Sequence, residues 1–362
     1  MKTELNTKEV LEQVKCYISS QGFDYSDDLV ENFYLSLKSK PFVILAGTSG
    51  TGKTKLAELF AEAIGADYKP VAVRPDWSDG SDLFGYQDLN GNFVPGPVCT
   101  AFEAAEKDIS RPVFLCLDEM NLARVEYYFS DFLSVIESRK NDDGRIKTVP
   151  IAQYKEGIPE NLYIIGTVNM DETTFPFSKK VLDRANTIEF NYVELMPEWQ
   201  KVEDAKPIKQ PNSFLRSEYL VLTKDCEEEK DFVNGICEKL QALNEILRKA
   251  NAHVGYRVRD EIAFYMLNNK KAGLLDEDLA LDNEIMQKIL PRIQGSSSAI
   301  KTLLMDLFKF CMGSGSGIDP DTGNVGEQMK NAAESAKYKK SAAKIGYMMT
   351  RFEDDGFTSY WL

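Results

Sequence analysis

Short continuous apolar runs alternate with segments of helical spacing through the first half of the chain. The apolar runs predict strands at 41–47, 68–74, 112–118 and 161–169. Segments whose apolar residues recur every three or four positions predict helices at 54–65, 99–108 and 125–138, the first closed by Gly65. Because strands that are apolar throughout are buried on both faces, we expect an α/β fold with a parallel sheet that helices cover on both sides.

The two ends of the chain show helical spacing only. Residues 1–40 predict two helices, with Thr7 as a candidate N-cap of the first. From about residue 213 the apolar residues again recur every three or four positions, up to a last helix near 329–353. The sequence therefore predicts N-terminal helices (1–40), an α/β core (41–195), a linker (196–212) and a helical lid domain (213–362) with a flexible, turn-rich insertion at 313–326.

A glycine-rich stretch, GTSGTGKT, lies between the first predicted strand and the helix after it. It fits the phosphate-loop pattern GxxxxGK[ST] in full and comprises Gly47, Thr48, Ser49, Gly50, Thr51, Gly52, Lys53 and Thr54. The glycines let successive backbone N–H groups and the positive end of the helix face the phosphates of a nucleotide. We expect Lys53 to contact the β- and γ-phosphates and Thr54 to bind Mg²⁺ through its hydroxyl.

Two further predicted strands end in polar residues that can act on a nucleotide. The strand at 112–118 ends in Asp118, and Glu119 follows it. Ligands of open α/β sheets bind at the carboxyl ends of the strands, so both carboxylates are expected beside the phosphate loop. We expect Asp118 to bind Mg²⁺ and Glu119 to orient or deprotonate the attacking water. The strand at 161–169 ends in Asn169, whose amide is expected to contact the γ-phosphate or that water.

This order of motifs, followed by an Asp-Arg pair and a helical domain, resembles that of the AAA+ ATPases. More narrowly, the chain resembles the McrB family, the GTP-using motor subunits of modification-dependent restriction systems. The stretches that carry the resemblance are GTSGTGKTKLAELFAEAIGA, VRPDWSDGSDLFGYQDLNGNFVPGP, LDEMNLARVEYYFSDFLSVIE, GTVNMDETTFPFSKKVLDRANTIEF, GYRVRDEIAFYM, QKILPRIQGSSSAI and DGFTSYWL.

The resemblance to the McrB family implies a homo-oligomeric ring, expected to be a hexamer, with the nucleotide at each subunit junction. It implies that Arg184 of one subunit stabilises the transferring charge on its neighbour's nucleotide; an ion pair with Asp183 is the alternative. Arg257 resembles the second sensor, which acts within the subunit, and Arg259 competes for that role. Arg124 is a further candidate at the junction.

The same resemblance implies a motor of a DNA restriction and defence complex, in which a partner nuclease of the McrC type cuts the DNA. About 40 residues precede the phosphate loop, so DNA reading is expected from a partner chain. The stretch 82–97 resembles a hairpin insertion of this clade, and its Gly, Asn and Pro content predicts a hairpin. It is expected to face a partner or a substrate.

Two choices stay open at this point. A protein-remodelling chaperone of the MoxR type is the alternative function, while Lys53, Asp118, Glu119 and Asn169 disfavour a non-enzymatic scaffold. ATP and GTP are equal candidates, because a phosphate loop contacts only phosphates. Where the McrB family carries NTADRS after its sensor strand, this chain reads NMDETT at 169–174, without the arginine.

Composition limits the remaining possibilities. The 362 residues suffice for two domains, and a net charge of −14 disfavours a broad nucleic-acid-wrapping surface but permits a local basic pore. A single histidine, His253, and six cysteines without a CxxC pair predict reduced thiols, with neither a zinc site nor a histidine-based triad. No apolar run reaches the ~18 residues of a membrane span and the amino terminus is polar, so a cytoplasmic protein is expected.

Overall fold

A computed structural model of the chain describes residues 5–170, 174–190, 193, 195, 205–313, 318 and 324–361. The chain divides into two compact units between Leu220 and Val221. The first unit holds the α/β core, and the second holds most of the predicted helical domain. Within the described part of the chain, no helix is long and apolar enough to cross a membrane.

A five-stranded parallel sheet lies at the centre of the first unit. The strands described in this unit are β1 (Phe42–Gly47), β2 (Asp67–Ala72), β3 (Gly85–Gln87), β4 (Phe93–Pro95), β5 (Val113–Asp118), β6 (Lys140–Asp142), β7 (Arg145–Lys147), β8 (Leu162–Asn169) and β9 (Asn186–Phe190). The sheet has the order β2-β5-β8-β1-β9. Every residue of β1 and β8 is buried, and because strand side chains alternate between faces, both faces are covered. The predicted parallel sheet is confirmed, with β8 between β1 and β5.

Helices of the first unit connect and cover these strands. They are α1 (Thr7–Ser20), α2 (Asp27–Ser39), α3 (Lys53–Ile64), α4 (Ser81–Phe84), α5 (Cys99–Lys107), α6 (Val125–Tyr128), α7 (Ser130–Val135) and α8 (Lys179–Leu182). The predicted cap at Thr7 is wrong by one residue. Asn6 Oδ1 accepts the Glu9 N–H at 3.0 Å, and the Glu9 carboxylate accepts the Asn6 N–H at 2.9 Å. This reciprocal pair is a capping box.

The single helix predicted at 125–138 is wrong. α6 and α7 are separated by Phe129, whose φ of −102° and ψ of 9° are not helical, and a 3-10 turn follows α7. The Phe129 ring stacks on Phe132 with centroids 4.7 Å apart and packs against Phe42 of β1 at 5.4 Å. The packing of these rings overrides the helical spacing, because burying large aromatic side chains is worth more than one continuous turn of helix.

The second unit is mainly helical. Its described helices are α9 (Leu222–Asp225), α10 (Lys230–Arg248), α11 (Tyr256–Ala272), α12 (Glu277–Glu284), α13 (Ser298–Met312), α14 (Val325–Ala332) and α15 (Lys339–Asp355), and a π-helical turn (Ile285–Ile289) follows α12. Two short antiparallel strands, β10 (Gln294–Gly295) and β11 (Thr358–Ser359), correct the prediction of helices alone. The predicted last helix near 329–353 is two helices, because Ala336 between them is extended, with φ −69° and ψ 152°.

Two predicted segments lie largely outside the described residues. Of the predicted linker 196–212, residues 205–212 are described, and there the Ile208 N–H donates to the Ala63 carbonyl at the end of α3 at 2.6 Å. Of the predicted flexible insertion 313–326, the part outside the described residues is 314–317 and 319–323.

Candidate nucleotide-binding site

The phosphate loop joins β1 to α3, and its backbone requires glycine at defined positions. Gly50 and Gly52 have φ of 79° and 88°, in the left-handed region that glycine adopts without a steric cost. A Cβ on Gly47 would lie 2.2 Å from the carbonyl oxygen of Phe190, so β1 and β9 approach too closely there for any side chain. α3 begins at Lys53 directly after this turn, so the positive end of this helix lies at the loop.

Lys53 is buried and lies inside its own loop. Its Nζ donates to the carbonyl oxygen of Thr48 at 2.5 Å and to that of Gly47 at 3.1 Å. Thr51 closes the same turn, because its hydroxyl also donates to the Thr48 carbonyl, at 2.9 Å. Thr48, Ser49 and Gly50 are exposed, so the outer rim of the loop is accessible. The ammonium is therefore in the loop, and its contact with phosphates stays a prediction.

Thr54 and Asp118 lie together, as the motif spacing predicts. The Thr54 hydroxyl donates to Asp118 Oδ1 at 2.8 Å, and the Thr167 hydroxyl donates to the same oxygen at 2.6 Å. A hydroxyl and a carboxylate oxygen suit Mg²⁺, because this ion prefers oxygen ligands. Few of these ligands need to come from the protein, since Mg²⁺ retains several bound waters and also binds substrate phosphates. This pair could therefore hold a magnesium ion.

Glu119 adopts a conformation that is uncommon outside glycine. Its φ of 53° and ψ of 50° are left-handed, which costs about 1 kcal/mol or more and is typical of functional turns. The Glu119 N–H donates to the Thr167 hydroxyl oxygen at 3.0 Å, and Asn169 Nδ2 donates to Glu119 Oε1 at 3.2 Å. Asn169 therefore orients the Glu119 carboxylate, next to Asp118 in the chain.

Two residues outside the predicted motifs, Thr167 and Asn121, organise this edge of the sheet. Thr167 bridges Asp118 and the Glu119 backbone from β8, two positions before Asn169 and so on the same face of that strand. Asn121 is buried and ties the turn after β5 to the loop after β8, since its Nδ2 donates to Thr174 Oγ1 at 2.5 Å. Thr167 could have been found from the sequence, because it is a polar residue in an apolar strand and lies two positions before Asn169. No feature of the sequence marks Asn121.

Two ionisable side chains near Asp118 carry no charge. The pKa of the Cys116 thiol is raised to about 12, mainly by burial and in smaller part by the Asp118 carboxylate, although Tyr68 lowers it. Burial also raises the pKa of the Tyr68 hydroxyl, with smaller contributions from Cys116 and Asp118. Both groups stay protonated at neutral pH and therefore add no charge beside Asp118. All six cysteines are free thiols.

Arg184 is held by main-chain carbonyls of its own chain. Its Nε donates to the Leu133 carbonyl at 2.7 Å, and a terminal nitrogen donates to the Lys180 carbonyl at 2.6 Å. Glu137 Oε1 lies 3.8 Å from the Arg184 Nε, and the Arg184 side chain is 14% exposed. These contacts hold the guanidinium against its own chain, and its action on a neighbouring subunit stays a prediction.

Arg124 is exposed and lies on two aromatic rings. Its guanidinium carbon is 5.1 Å from the centroid of Phe175 and 5.8 Å from that of Tyr127, two rings that are themselves exposed. Cation–π contacts of this kind hold an arginine without neutralising its charge. An accessible arginine suits a junction residue, which stays a prediction for Arg124.

The remaining candidate residues belong to the second unit. Arg257 is the second residue of α11 and is half-buried. Arg259 donates through its Nε to Asp260 Oδ1 at 2.7 Å and packs over Tyr256 at 4.8 Å. The Arg259 guanidinium is thus paired with the next residue, and the choice between Arg257 and Arg259 as the second sensor stays a prediction. His253 is exposed.

The predicted hairpin at 82–97 is confirmed. β3 and β4 pair antiparallel, from Gly85 with Pro95 to Gln87 with Phe93. Apolar side chains on it are exposed: Tyr86, Leu89, Phe93 and Val94.

Two family models match different parts of the chain. Residues 42–185 match the family model of the AAA domain (dynein-related subfamily), and residues 202–357 match that of a domain of unknown function, DUF8727. A solved structure described as a "putative ATPase" from Cytophaga hutchinsonii ATCC 33406 is similar to this chain with a TM-score of 0.48 and 18% sequence identity. The match covers 79% of this chain and 86% of the other chain.

Curated relatives are distant. Lon protease of Mesomycoplasma hyopneumoniae (strain 232) is 22% identical over 280 residues, which are 74% of this chain and 29% of that protein. Lon protease of Mycoplasma mycoides subsp. mycoides SC is 28% identical over 151 residues, 36% of this chain and 18% of that protein. An uncharacterized Staphylococcus aureus protein (strain NCTC 8325 / PS 47) is 25% identical over 183 residues, 46% of this chain and 64% of its own. This chain thus spans less than a third of those two Lon proteases.

The matched segment, the parallel sheet and the phosphate loop coincide. Residues 42–185 therefore form an α/β P-loop core of the AAA type, and a mainly helical region follows this core along the chain. The narrower resemblance to the McrB family stays a prediction.

Proposed function

We propose that this protein hydrolyses a nucleoside triphosphate, ATP or GTP, at the phosphate loop with Mg²⁺ as cofactor. The observation that carries the proposal is one hydrogen-bonded group: Thr54 and Thr167 share Asp118 Oδ1, while Asn169 holds Glu119. This arrangement supports metal-assisted hydrolysis. A hydroxyl and a carboxylate suit the metal, and a second carboxylate, oriented by an amide, suits the attacking water.

The proposed roles follow from the donors and acceptors of each residue. Lys53 and the loop N–H groups bind the phosphates, and Thr54 and Asp118 hold Mg²⁺, which offsets negative charge when bound. Glu119 accepts a proton from the water whose oxygen attacks the γ-phosphorus, as the bond from that phosphorus to the bridging oxygen breaks. Asn169 keeps the Glu119 carboxylate turned toward that water.

Phosphate release from ATP and from GTP tests this proposal directly. Wild-type protein should release phosphate from at least one of them, and only with Mg²⁺. Lys53→Ala should abolish release, because the ammonium that binds the phosphates is gone. Lys55→Ala is the matched control, since Lys55 lies two residues further along the same helix and pairs with Glu58 at 2.9 Å. Equal rates in the two variants would reject the site.

The narrower proposal is a ring-forming motor of the McrB type that acts on DNA with a partner nuclease. Its support is the resemblance of the sequence stretches, together with an arginine, Arg184, that hydrogen bonds to the Leu133 and Lys180 carbonyls hold in place. Nucleotide should convert the protein from smaller species to a ring at micromolar concentration, and a candidate nuclease partner should accelerate hydrolysis. A protein that stayed monomeric with nucleotide, and whose hydrolysis ignored such partners, would remove this proposal.

A protein-remodelling chaperone is the second candidate, because one observation favours it. The hairpin of β3 and β4 exposes Tyr86, Leu89 and Phe93, and exposed apolar clusters bind protein segments. Under this alternative an unfolded protein accelerates hydrolysis, and Leu89→Asp removes that acceleration without changing the basal rate. Val149→Asp, at an exposed valine outside the hairpin, is the control.

A further inference from the structure

The segment between α1 and α2 contacts the phosphate loop through one hydrogen bond. The Tyr25 hydroxyl donates to the carbonyl oxygen of Gly52 at 2.8 Å. The same oxygen accepts the N–H of Leu56, in the first turn of α3, at 2.9 Å. Two donors from different parts of the chain therefore fix the direction of the Gly52 carbonyl.

The direction of this carbonyl determines where the next N–H points. In a trans peptide the C=O and N–H groups point in opposite directions, and every peptide bond described in the chain is trans. Fixing the Gly52 carbonyl therefore fixes the N–H of Lys53, one of the backbone groups at the start of α3 that phosphates are expected to meet. Gly52 has a φ of 88° and no side chain of its own to hold that orientation.

The Tyr25 ring is itself held in place by neighbouring rings. Phe23 stacks on it with centroids 6.4 Å apart, and Phe190 contacts it edge-on at 6.3 Å. Phe190 is also the residue whose carbonyl lies against Gly47, at the other end of the loop. A Cβ on Gly52 would lie 2.7 Å from the Tyr25 oxygen, so ring and loop are in close contact.

We propose that Tyr25 is a positioning residue of the phosphate site, which holds the Gly52–Lys53 peptide in the orientation that binds phosphate. The proposal rests on the nucleotide hydrolysis proposed above and adds a residue that precedes the loop by more than 20 positions. Tyr25 acts through the loop backbone and does not contact the nucleotide. Burial raises the pKa of its hydroxyl, so the group remains a donor at physiological pH.

Tyr25→Phe tests the proposal, because it removes the hydroxyl and keeps the ring. The Kd of the Mg²⁺-bound nucleotide, by titration calorimetry, and the KM for hydrolysis should both rise about five- to tenfold, as expected for one lost hydrogen bond, with kcat within about twofold. Tyr17→Phe is the matched control. Its hydroxyl also joins α1 to α3, through Glu62 at 3.1 Å, but outside the loop.

The outcomes separate positioning from simple stabilisation. A rise in Kd and KM in Tyr25→Phe alone, with similar melting temperatures in both variants, supports the proposal. Unchanged affinity in Tyr25→Phe, or an equal rise in both variants, overturns it while the proposed hydrolysis stands. A wild-type protein that bound neither ATP nor GTP would overturn both proposals.

Discussion

The Thr167 hydroxyl donates a 2.6 Å hydrogen bond to Asp118 Oδ1, the same oxygen that Thr54 contacts from the phosphate loop. The Thr167 oxygen in turn accepts the Glu119 N–H at 3.0 Å. One side chain of β8 therefore fixes both the carboxylate proposed to bind the metal and the backbone that carries the proposed base.

Thr167→Val should lower kcat for nucleotide hydrolysis about tenfold, since it keeps the side-chain shape but removes both hydrogen bonds. A tenfold loss corresponds to about 1.4 kcal/mol, close to the lower end of the range for hydrogen bonds to charged groups. Nucleotide affinity should change less than about threefold, because the phosphate loop is intact. Steady-state phosphate release gives both numbers.

Thr187→Val is the control for this change. Thr187 is a buried threonine of β9 in the same sheet, and no hydrogen-bond partner for its hydroxyl exists among the described residues. Removing that hydroxyl should leave kcat unchanged and stability equal or higher. If the two variants lost activity equally, Thr167 would be only a packing residue.

Arg184→Ala should reduce both stability and hydrolysis. It leaves the Leu133 and Lys180 carbonyls without their donor, a loss of about 1–3 kcal/mol in the free energy of unfolding. If Arg184 acts on the neighbouring subunit's nucleotide, hydrolysis should fall about 10³-fold. Denaturant unfolding and phosphate release measure the two effects separately.

Mixing variants tests whether Arg184 acts between subunits. Arg184→Ala mixed with Lys53→Ala should regain part of the activity, because some junctions then combine an intact loop with an intact arginine. Arg216→Ala is the control for stability alone, as Arg216 is half-buried and paired with Glu160 at 2.9 Å. A mixture as inactive as its components would show that Arg184 serves no neighbour.

Stability of the second unit should fall as pH rises from about 4.5 to about 8. Glu284 is fully buried on α12, and burial raises the pKa of its carboxyl to about 8 although Lys288 lowers it. The folded state therefore binds a proton that the unfolded state releases near its ordinary pKa, and this favours folding at low pH. Each pH unit in that window costs at most about 1.4 kcal/mol.

Glu284→Gln removes the titrating group and should flatten this dependence. The melting temperature of the variant minus that of the wild type should increase between pH 5 and pH 8. As the pH rises, only the wild type must either bury a charged carboxylate or retain the proton on Glu284. Glu238→Gln, at an exposed position of α10, should show a constant difference over the same range. A constant difference for Glu284→Gln would mean that its pKa is not raised.

The proximity of several candidate site residues could be predicted from the sequence motifs. The phosphate loop, Asp118, Glu119 and Asn169 follow apolar strands directly, and parallel strands bring such ends together. Thr167 was not predicted, because threonine is common in β-strands and its presence in an apolar run does not by itself indicate a function. Its function depends on the pairing of β8 with β5.

Contacts between residues far apart in the sequence could not be predicted, because they depend on how the helices and strands pack. Tyr25 meets Gly52 only because α1, α2 and α3 fold against one another, and no local pattern encodes that approach. The helix predicted at 125–138 was wrong because ring packing around Phe129 competes with helical spacing and wins. Local periodicity predicts elements well when tertiary packing agrees with it, as in β1 and α3.

Glu119→Gln, followed by nucleotide binding and phosphate release in the same samples, tests the central proposal most directly. The variant should bind ATP or GTP with a Kd within about threefold of wild type and accumulate in the assembled form. Its phosphate release should fall about 10²-fold or more, because the amide cannot accept the water proton. Glu106→Gln, at an exposed site of α5, should hydrolyse normally. Hydrolysis by Glu119→Gln at the wild-type rate would contradict the proposed mechanism.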